Sequence, residues 1–69
     1  MKIHAIIKEL ESGKLIVKTV DDKAKKILCR IVGGETVTYK QLRKLIFLKK
    51  VEMSNHSEFD KMTWYKLLR

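Results

Sequence analysis

Four short breaks divide the chain into five segments, and this spacing keeps every helix or strand short. The breaks combine glycine, acidic and small polar residues, which favour turns; they are Ser12-Gly13, Asp21-Asp22, Gly33-Gly34 and the run Ser54-Asn55-His56-Ser57. A chain of 69 residues buries only about 60% of the surface that its unfolded form exposes, too little for two cores. Because 45% of the residues are apolar and there is no proline or internal repeat, the sequence predicts one folded domain, 1–69.

The first segment, 2–10, fits two templates. Its isoleucines and Leu10 follow the helix spacing, whereas Ile3, Ala5 and Ile7 alternate as in a strand. The second segment, 14–20, is rich in β-branched residues and too short for a typical helix, which indicates a strand. Since a lone strand needs a hydrogen-bonding partner, we favour an N-terminal β-hairpin of these two segments over a helix at 2–10.

The third segment, 22–32, predicts an amphipathic helix, because its apolar and basic residues fall on different sides at the helix period. Asp21 or Asp22 can cap its N-terminus, and Gly33-Gly34 can end it in the left-handed conformation. The alternative is a strand over 25–32 that turns back at Asp21-Asp22-Lys23 and makes a β-meander.

The fourth segment predicts a capped helix. Thr38 and Gln41 form a capping-box pattern ahead of a helix over about 39–49. Leucine, isoleucine and tyrosine make its apolar stripe, while its cations lie on the other side. Phe47 falls among those cations, and we favour a core position for this ring over an exposed contact.

The fifth segment predicts a helix capped by Ser57, with two acidic residues in its first turn. The order of segments therefore predicts an α+β fold: a small single domain with an N-terminal β-hairpin followed by a three-helix, helix-turn-helix-like core. The alternative is a β-meander followed by one or two C-terminal helices. The sequence leaves open whether 2–10 and 25–32 are helix or strand.

The positive charge is concentrated in the middle of the chain. The whole sequence has 16 Lys and Arg against 8 Asp and Glu, but residues 23–50 hold nine cations and one acid, Glu35, a net charge of +8. The remainder of the chain is balanced. Such a concentration is typical of an electrostatic surface for a polyanion, with a solvated basic face that has no partner as the plainer alternative.

The stretch 24–42 places the run Gly33-Gly34-Glu35-Thr36-Val37-Thr38-Tyr39 between two predicted helices. It resembles the start of winged helix-turn-helix domains, most nearly the DNA-binding half of alkylguanine-DNA alkyltransferases. The resemblance covers about a quarter of the chain and implies DNA binding. The family's Pro-Cys-His-Arg acceptor segment is absent and Cys29 lies in another element, so the resemblance implies no alkyl transfer.

The candidate nucleic-acid-binding residues are the cations of the basic stretch and of the fifth segment. The N-terminus of the 39–49 helix and its cations would contact phosphate, and the fifth segment would be the recognition helix. That helix is nearly neutral, because Glu58 and Asp60 offset its cations, so we expect largely nonspecific, salt-dependent binding. The full set is Lys23, Lys26, Arg30, Lys40, Arg43, Lys44, Lys49, Lys50, Lys61, Lys66 and Arg69.

The sequence supports no catalytic or metal site. Cys29, His4 and His56 are the only soft or imidazole ligands, too few for a closed zinc site. Cys29 is interpreted as a small buried apolar residue, and no cofactor or enzymatic activity is expected. No apolar run approaches the ~18 residues of a membrane span and no signal peptide is visible, so we expect a soluble, cytoplasmic protein with no membrane partner.

Two hypotheses for function follow. In the first, the chain is a small helix-turn-helix-type regulator or accessory factor that binds nucleic acid, with duplex DNA favoured over RNA. In the second, it is a non-catalytic interaction protein that binds an acidic surface of a larger protein and modulates or inhibits it. A homodimer is compatible with both, because a second copy doubles the contact area of a small chain.

Overall fold

Two helices and five strands follow one another along residues 2–68, the part of the chain that this computed structural model describes. The first helix, α1 (Ile3–Glu11), precedes β1 (Ile16–Asp21), β2 (Lys26–Ile31) and β3 (Thr36–Val37). The second helix, α2 (Tyr39–Phe47), precedes β4 (Val51–Ser57) and β5 (Met62–Leu67). The strands form one antiparallel sheet in the order β3-β2-β1-β5-β4, so β1 is paired on both sides.

Both helices pack on one face of this sheet and share a single core. Ile6 of α1 and Leu42 and Leu45 of α2 are fully buried, and they join Ile16 and Ile31 of the strands in one apolar cluster. Because side chains alternate along a strand, the same strands present a second set of residues to the opposite face. No helix among residues 2–68 covers that second face.

The fold repeats one unit, a helix followed by a two-stranded hairpin. Tyr39–Phe47 lies 36 positions after Ile3–Glu11, and the left-handed turn residues Lys25 and Lys61 are also 36 positions apart. Some equivalent positions share their chemistry, such as Arg30 with Lys66 and Ile31 with Leu67, whereas Ile27 and Thr63 differ. The sequence therefore carries a partial trace of the repeat, which the prediction of no internal repeat missed.

The predicted fold class is wrong: the chain is α+β, but it has a five-stranded sheet and two helices instead of an N-terminal hairpin and a three-helix core. The alternative, a meander followed by C-terminal helices, does not describe it either, because the chain begins with a helix and ends in a strand. Three segments account for the difference.

The first segment is a helix and does not pair with the second. Ile6 and Leu10 are buried against the sheet, with Ile3 and Ile7 packed beside them. The helix period of these apolar residues therefore predicts the segment correctly, and the strand alternation does not. The predicted hairpin would have given β1 a hydrogen-bonding partner in the first segment. β1 instead pairs with β2, which follows it through a hairpin turn, and with β5, which is distant in sequence.

The third segment is a strand, the alternative that we placed second. Ile27, Cys29 and Ile31 share the helix-covered side of β2 in the register with β1, which is the period of a strand. The Asp21 carboxylate accepts hydrogen bonds from the N–H groups of Lys23 and Ala24 at 3.1 and 3.2 Å. Asp21 therefore closes the β1–β2 turn instead of capping a helix.

The fifth segment, predicted as a helix, is the end of β4, a turn and β5. The Ser57 hydroxyl accepts the N–H of Asp60 at 3.3 Å, so the expected helix cap stabilises a hairpin turn. Thr63, Tyr65 and Leu67 face the helices, while Met62, Trp64 and Lys66 face the other way.

The helix of the fourth segment is confirmed. Thr38 accepts the N–H of Gln41 at 3.0 Å, and the Gln41 side chain accepts the N–H of Thr38 at 3.1 Å, which completes the predicted capping box. The helix ends at Phe47, two residues before the predicted limit, and Lys49 follows it with a left-handed φ of 57°.

Substitution of Lys25 by glycine tests whether this residue lies in the observed turn or in the predicted helix. Lys25 has a φ of 52°, where glycine is free of steric cost, so Lys25→Gly should raise the free energy of unfolding by about 1 kcal/mol. In a helix the same change would lower it by about 1 kcal/mol. Urea denaturation measures the difference, with Lys23→Gly in the same turn as the control. Equal destabilisation by both substitutions would contradict the turn.

Candidate nucleic-acid interface

The fold divides the predicted binding residues among three places. Lys40, Arg43 and Lys44 lie on α2, and Lys49 and Lys50 follow in the turn to β4. The register places Lys26, Arg30 and Lys66 on the face of the sheet opposite the helices. Lys23 and Lys61 lie in the two hairpin turns, and Arg69 lies outside the described residues.

The basic stretch 23–50 is therefore not one surface. Its first part, which includes Lys26 and Arg30, and its last part on α2 lie on opposite sides of the sheet. A flat or rod-like ligand cannot contact both parts at once. Of the predicted residues, Lys40, Arg43 and Lys44 lie together on α2, and Lys49 and Lys50 follow them in the chain.

The outward side of α2 combines cations with exposed aromatic rings. Leu42 and Leu45 face the core, so the residues on the other side of the helix face solvent. Phe47 lies in the middle of that side and is 84% exposed, which makes the predicted core position of this ring wrong. We call this side the α2 surface; it consists of Tyr39, Lys40, Arg43, Lys44 and Phe47.

The position of Phe47 follows from the helix period. Arg43 and Lys44 precede it by four and three residues, so both cations lie beside the ring on the same side of the helix. The Arg43 guanidinium carbon lies 5.9 Å from the centroid of the Tyr39 ring, within reach of a cation–π contact. The five side chains of the α2 surface line a shallow depression of about 400 Å³.

The cations of the α2 surface are not neutralised by the protein. The helix itself contains no acidic residue, and within residues 2–68 none of Lys40, Arg43 and Lys44 forms an ion pair. By contrast, Lys61 pairs with Asp22, and the Lys66 ammonium lies 3.4 Å from the Glu52 carboxylate. Within residues 2–68 the charges of Lys40, Arg43 and Lys44 are therefore not offset by an ion pair, unlike those of Lys61 and Lys66.

The predicted phosphate site at the N-terminus of this helix needs a correction. Thr38 already accepts the Gln41 N–H, so that donor is not available to a ligand. The capping box therefore uses part of the backbone donors that an anion would need at this end of α2.

The predicted recognition helix does not exist. Its cations Lys61 and Lys66 lie in a turn and on β5, and each is held by an acidic side chain. The sequence predicted a core position for Phe47, but this ring is 84% exposed on α2. The available signal was the position of Phe47 among cations at helical spacing, in a helix whose N-cap at Thr38 was predicted correctly.

Groups with chemical reactivity are few in the described part of the chain. No three His, Cys, Asp or Glu side chains of residues 2–68 come together as metal ligands. Cys29 is buried in the core, as interpreted from the sequence, and burial raises the pKa of its thiol, while the charge of Lys18 offsets part of that effect. The His56 Nδ1 lies 2.8 Å from the Thr63 hydroxyl, which holds the ring against β5.

Neither helix of residues 2–68 is long and apolar enough to cross a bilayer. No known protein family, curated protein or solved structure matches this chain. The resemblance of 24–42 to winged helix-turn-helix domains thus stays a prediction. A function is therefore inferred from the protein's own surfaces, above all the α2 surface.

Proposed function

We propose that this protein binds nucleic acid through the α2 surface, with duplex DNA as the first ligand. The observation that carries the proposal is the set of three unpaired cations around the exposed Phe47 ring on the outward side of one helix. Three cations without internal partners can displace counterions from phosphates, which supplies most of the free energy of nonspecific binding. Lys49 and Lys50 extend the track beyond the helix.

A single exposed helix is also a suitable shape for a DNA groove. The major groove of B-DNA admits an α-helix, and α2 is covered only on its Leu42 and Leu45 side. Lysine and arginine on the outward side can contact phosphates on either wall, while Tyr39 and Phe47 contact sugars or unstacked bases. The α2 surface offers no Asn, Asp or Glu for base reading, so the proposal is one of weak sequence preference.

Reversal of the α2 charges should weaken DNA binding strongly. We expect the triple variant K40E/R43E/K44E to bind a DNA duplex about two orders of magnitude more weakly than the wild-type protein. Because each phosphate contact contributes about 0.9 to the slope of log K against log salt, the slope should also fall by about 3. Fluorescence anisotropy at several salt concentrations measures both quantities.

The matched control is K23E/K25E/K26E, which changes the net charge by the same amount at the exposed β1–β2 turn. It should keep most of the binding, since none of these three residues lines the depression of the α2 surface. Equal losses in the two triple variants would mean that net charge alone governs binding, and no loss in the α2 variant would exclude this surface.

Phe47 tests the aromatic part of the proposal. The ring makes little contact with the core, so Phe47→Ala should leave stability unchanged and weaken binding to single-stranded DNA by about 5- to 100-fold, the range for loss of one base stack. Phe59→Ala is the control, because Phe59 is 96% exposed in the β4–β5 turn. Identical affinities of the two variants in a filter-binding or anisotropy assay would remove Phe47 from the interface.

The second candidate, an acidic protein surface as the partner, draws on the same residues. An exposed phenyl ring beside arginine is also typical of protein-binding hot spots. Affinity capture with the tagged chain separates the two: nucleic acid binding predicts that capture is lost after nuclease treatment. A stoichiometric protein that stays bound after nuclease and is released by K40E/R43E/K44E would favour the protein partner.

A further inference from the structure

The face of the sheet opposite the helices is apolar at its centre. We call it the open face; it consists of Val17 and Thr19 of β1, Leu28 and Arg30 of β2, and Met62 and Trp64 of β5. Leu28 is 56% exposed and Met62 and Trp64 are half-buried, although no helix of residues 2–68 covers them. An apolar sheet face of this kind in a small protein marks an interaction surface.

The residues of the open face are arranged symmetrically about β1. Arg30 on one side and Trp64 on the other both lie directly opposite Val17. In the next row, Leu28 and Met62 both lie opposite Thr19. A depression of about 310 Å³ lies mainly over β1 and β2: its lining includes Val17, Leu28, Arg30 and Thr36, together with Met62 of β5, and does not include Trp64.

We infer that the open face binds a second copy of this chain, about a two-fold axis that runs parallel to β1 over Val17. Such an axis exchanges the β2 side with the β5 side. Each Trp64 then lies over the Arg30 of the other copy, and each Met62 over the other Leu28. The Trp64 ring then meets a guanidinium, and Met62 meets another apolar side chain. The face is therefore complementary to itself, as a two-fold interface requires.

The size of the depression and the position of Arg30 agree with this occupant. A cavity of about 150 Å³ holds a benzene ring, so the depression beside Arg30 has room for the indole of the second copy. Arg30 has no ion pair within residues 2–68, which leaves its guanidinium available to that ring. The two Arg30 side chains lie on opposite sides of the axis, about two strand spacings or ~10 Å apart, and do not face each other.

The ends of the same row make a polar rim. Thr36 pairs with Arg30 at one edge of the sheet, and Asn55 pairs with Trp64 at the other. The two-fold axis brings Thr36 of one copy to Asn55 of the other, where both side chains can form hydrogen bonds. The dimer leaves each α2 surface on an outer side, since α2 packs on the opposite face of its sheet.

The test is the mass of the protein in solution. Sedimentation equilibrium of the full chain, freed of nucleic acid, should give a dimer for the wild-type protein and a monomer for Leu28→Glu, which places a charge in the interface. The matched control is Met53→Glu: Met53 is 61% exposed on the same sheet but on the helix-covered face, so this variant should stay a dimer.

Trp64 gives a second signal, because it is the only tryptophan of the chain. Its emission should shift to longer wavelength on dilution of the wild-type protein, and should already be shifted in Leu28→Glu. Circular dichroism checks that Leu28→Glu folds. If it does not, the exposed Arg30→Ala takes its place, with an expected increase in the dimer Kd of about 3- to 30-fold for a desolvated cation–π contact.

A wild-type chain that stays monomeric up to about 1 mM would overturn the inference, whether the open face then binds another protein, a nucleic acid or nothing. A dimer that Leu28→Glu or Arg30→Ala leaves intact would overturn it as well, because the contact would then lie elsewhere. The α2 surface plays no part in these outcomes, so the test is independent of the proposed function.

Discussion

The central strand β1 determines the rest of the structure. Its backbone groups are paired on both sides, with β2 through one hairpin and with β5 across most of the chain length. Ile16 faces the helices and is fully buried, and its neighbour Val17 on the opposite face is only 3% exposed, between Arg30 and Trp64. Because unpaired backbone groups in such a position are costly, β5 must return to the centre of the sheet.

That arrangement gives the protein two unlike sides. On one side α1 and α2 complete the core and turn the basic, aromatic side of α2 to solvent. On the other side the strands leave a face that is apolar at its centre and also carries Lys26, Arg30 and Lys66. The proposed functions of the two sides differ accordingly: the α2 surface contacts a polyanion through charge, and the open face contacts a second copy through shape and apolar area.

The part of the fold that could be predicted is the part fixed by local contacts. Thr38 and Gln41 cap α2 with their own side chains, and Leu42 and Leu45 mark its buried side, so this helix was predictable nearly to the residue. The β character of 16–20 was also visible, because β-branched residues fill that segment.

The remaining segments are decided by pairing between strands, which the residues of one segment do not reveal. Apolar residues at 27, 28 and 31 fit both a helix and a strand, and only the pairing of β2 with β1 and β3 selects the strand. The residue types that cap helices also form turns. In 57–67, Ser57 and Asp60 therefore could not distinguish the start of a helix from a hairpin turn. Those errors carried over to the site: cations close in sequence, such as Arg30 and Lys40, lie on different sides of the sheet.

The most direct test of this account is a titration of the isotope-labelled protein with a short DNA duplex at low salt, followed by amide proton–nitrogen correlation spectra. The account predicts that the amide signals of 39–50 shift progressively with added DNA. Those of β2 and β5, which carry Arg30, Trp64 and Lys66, should keep their positions. Shifts centred on β2 and β5, with α2 unaffected, would contradict it and would place the nucleic-acid site on the open face.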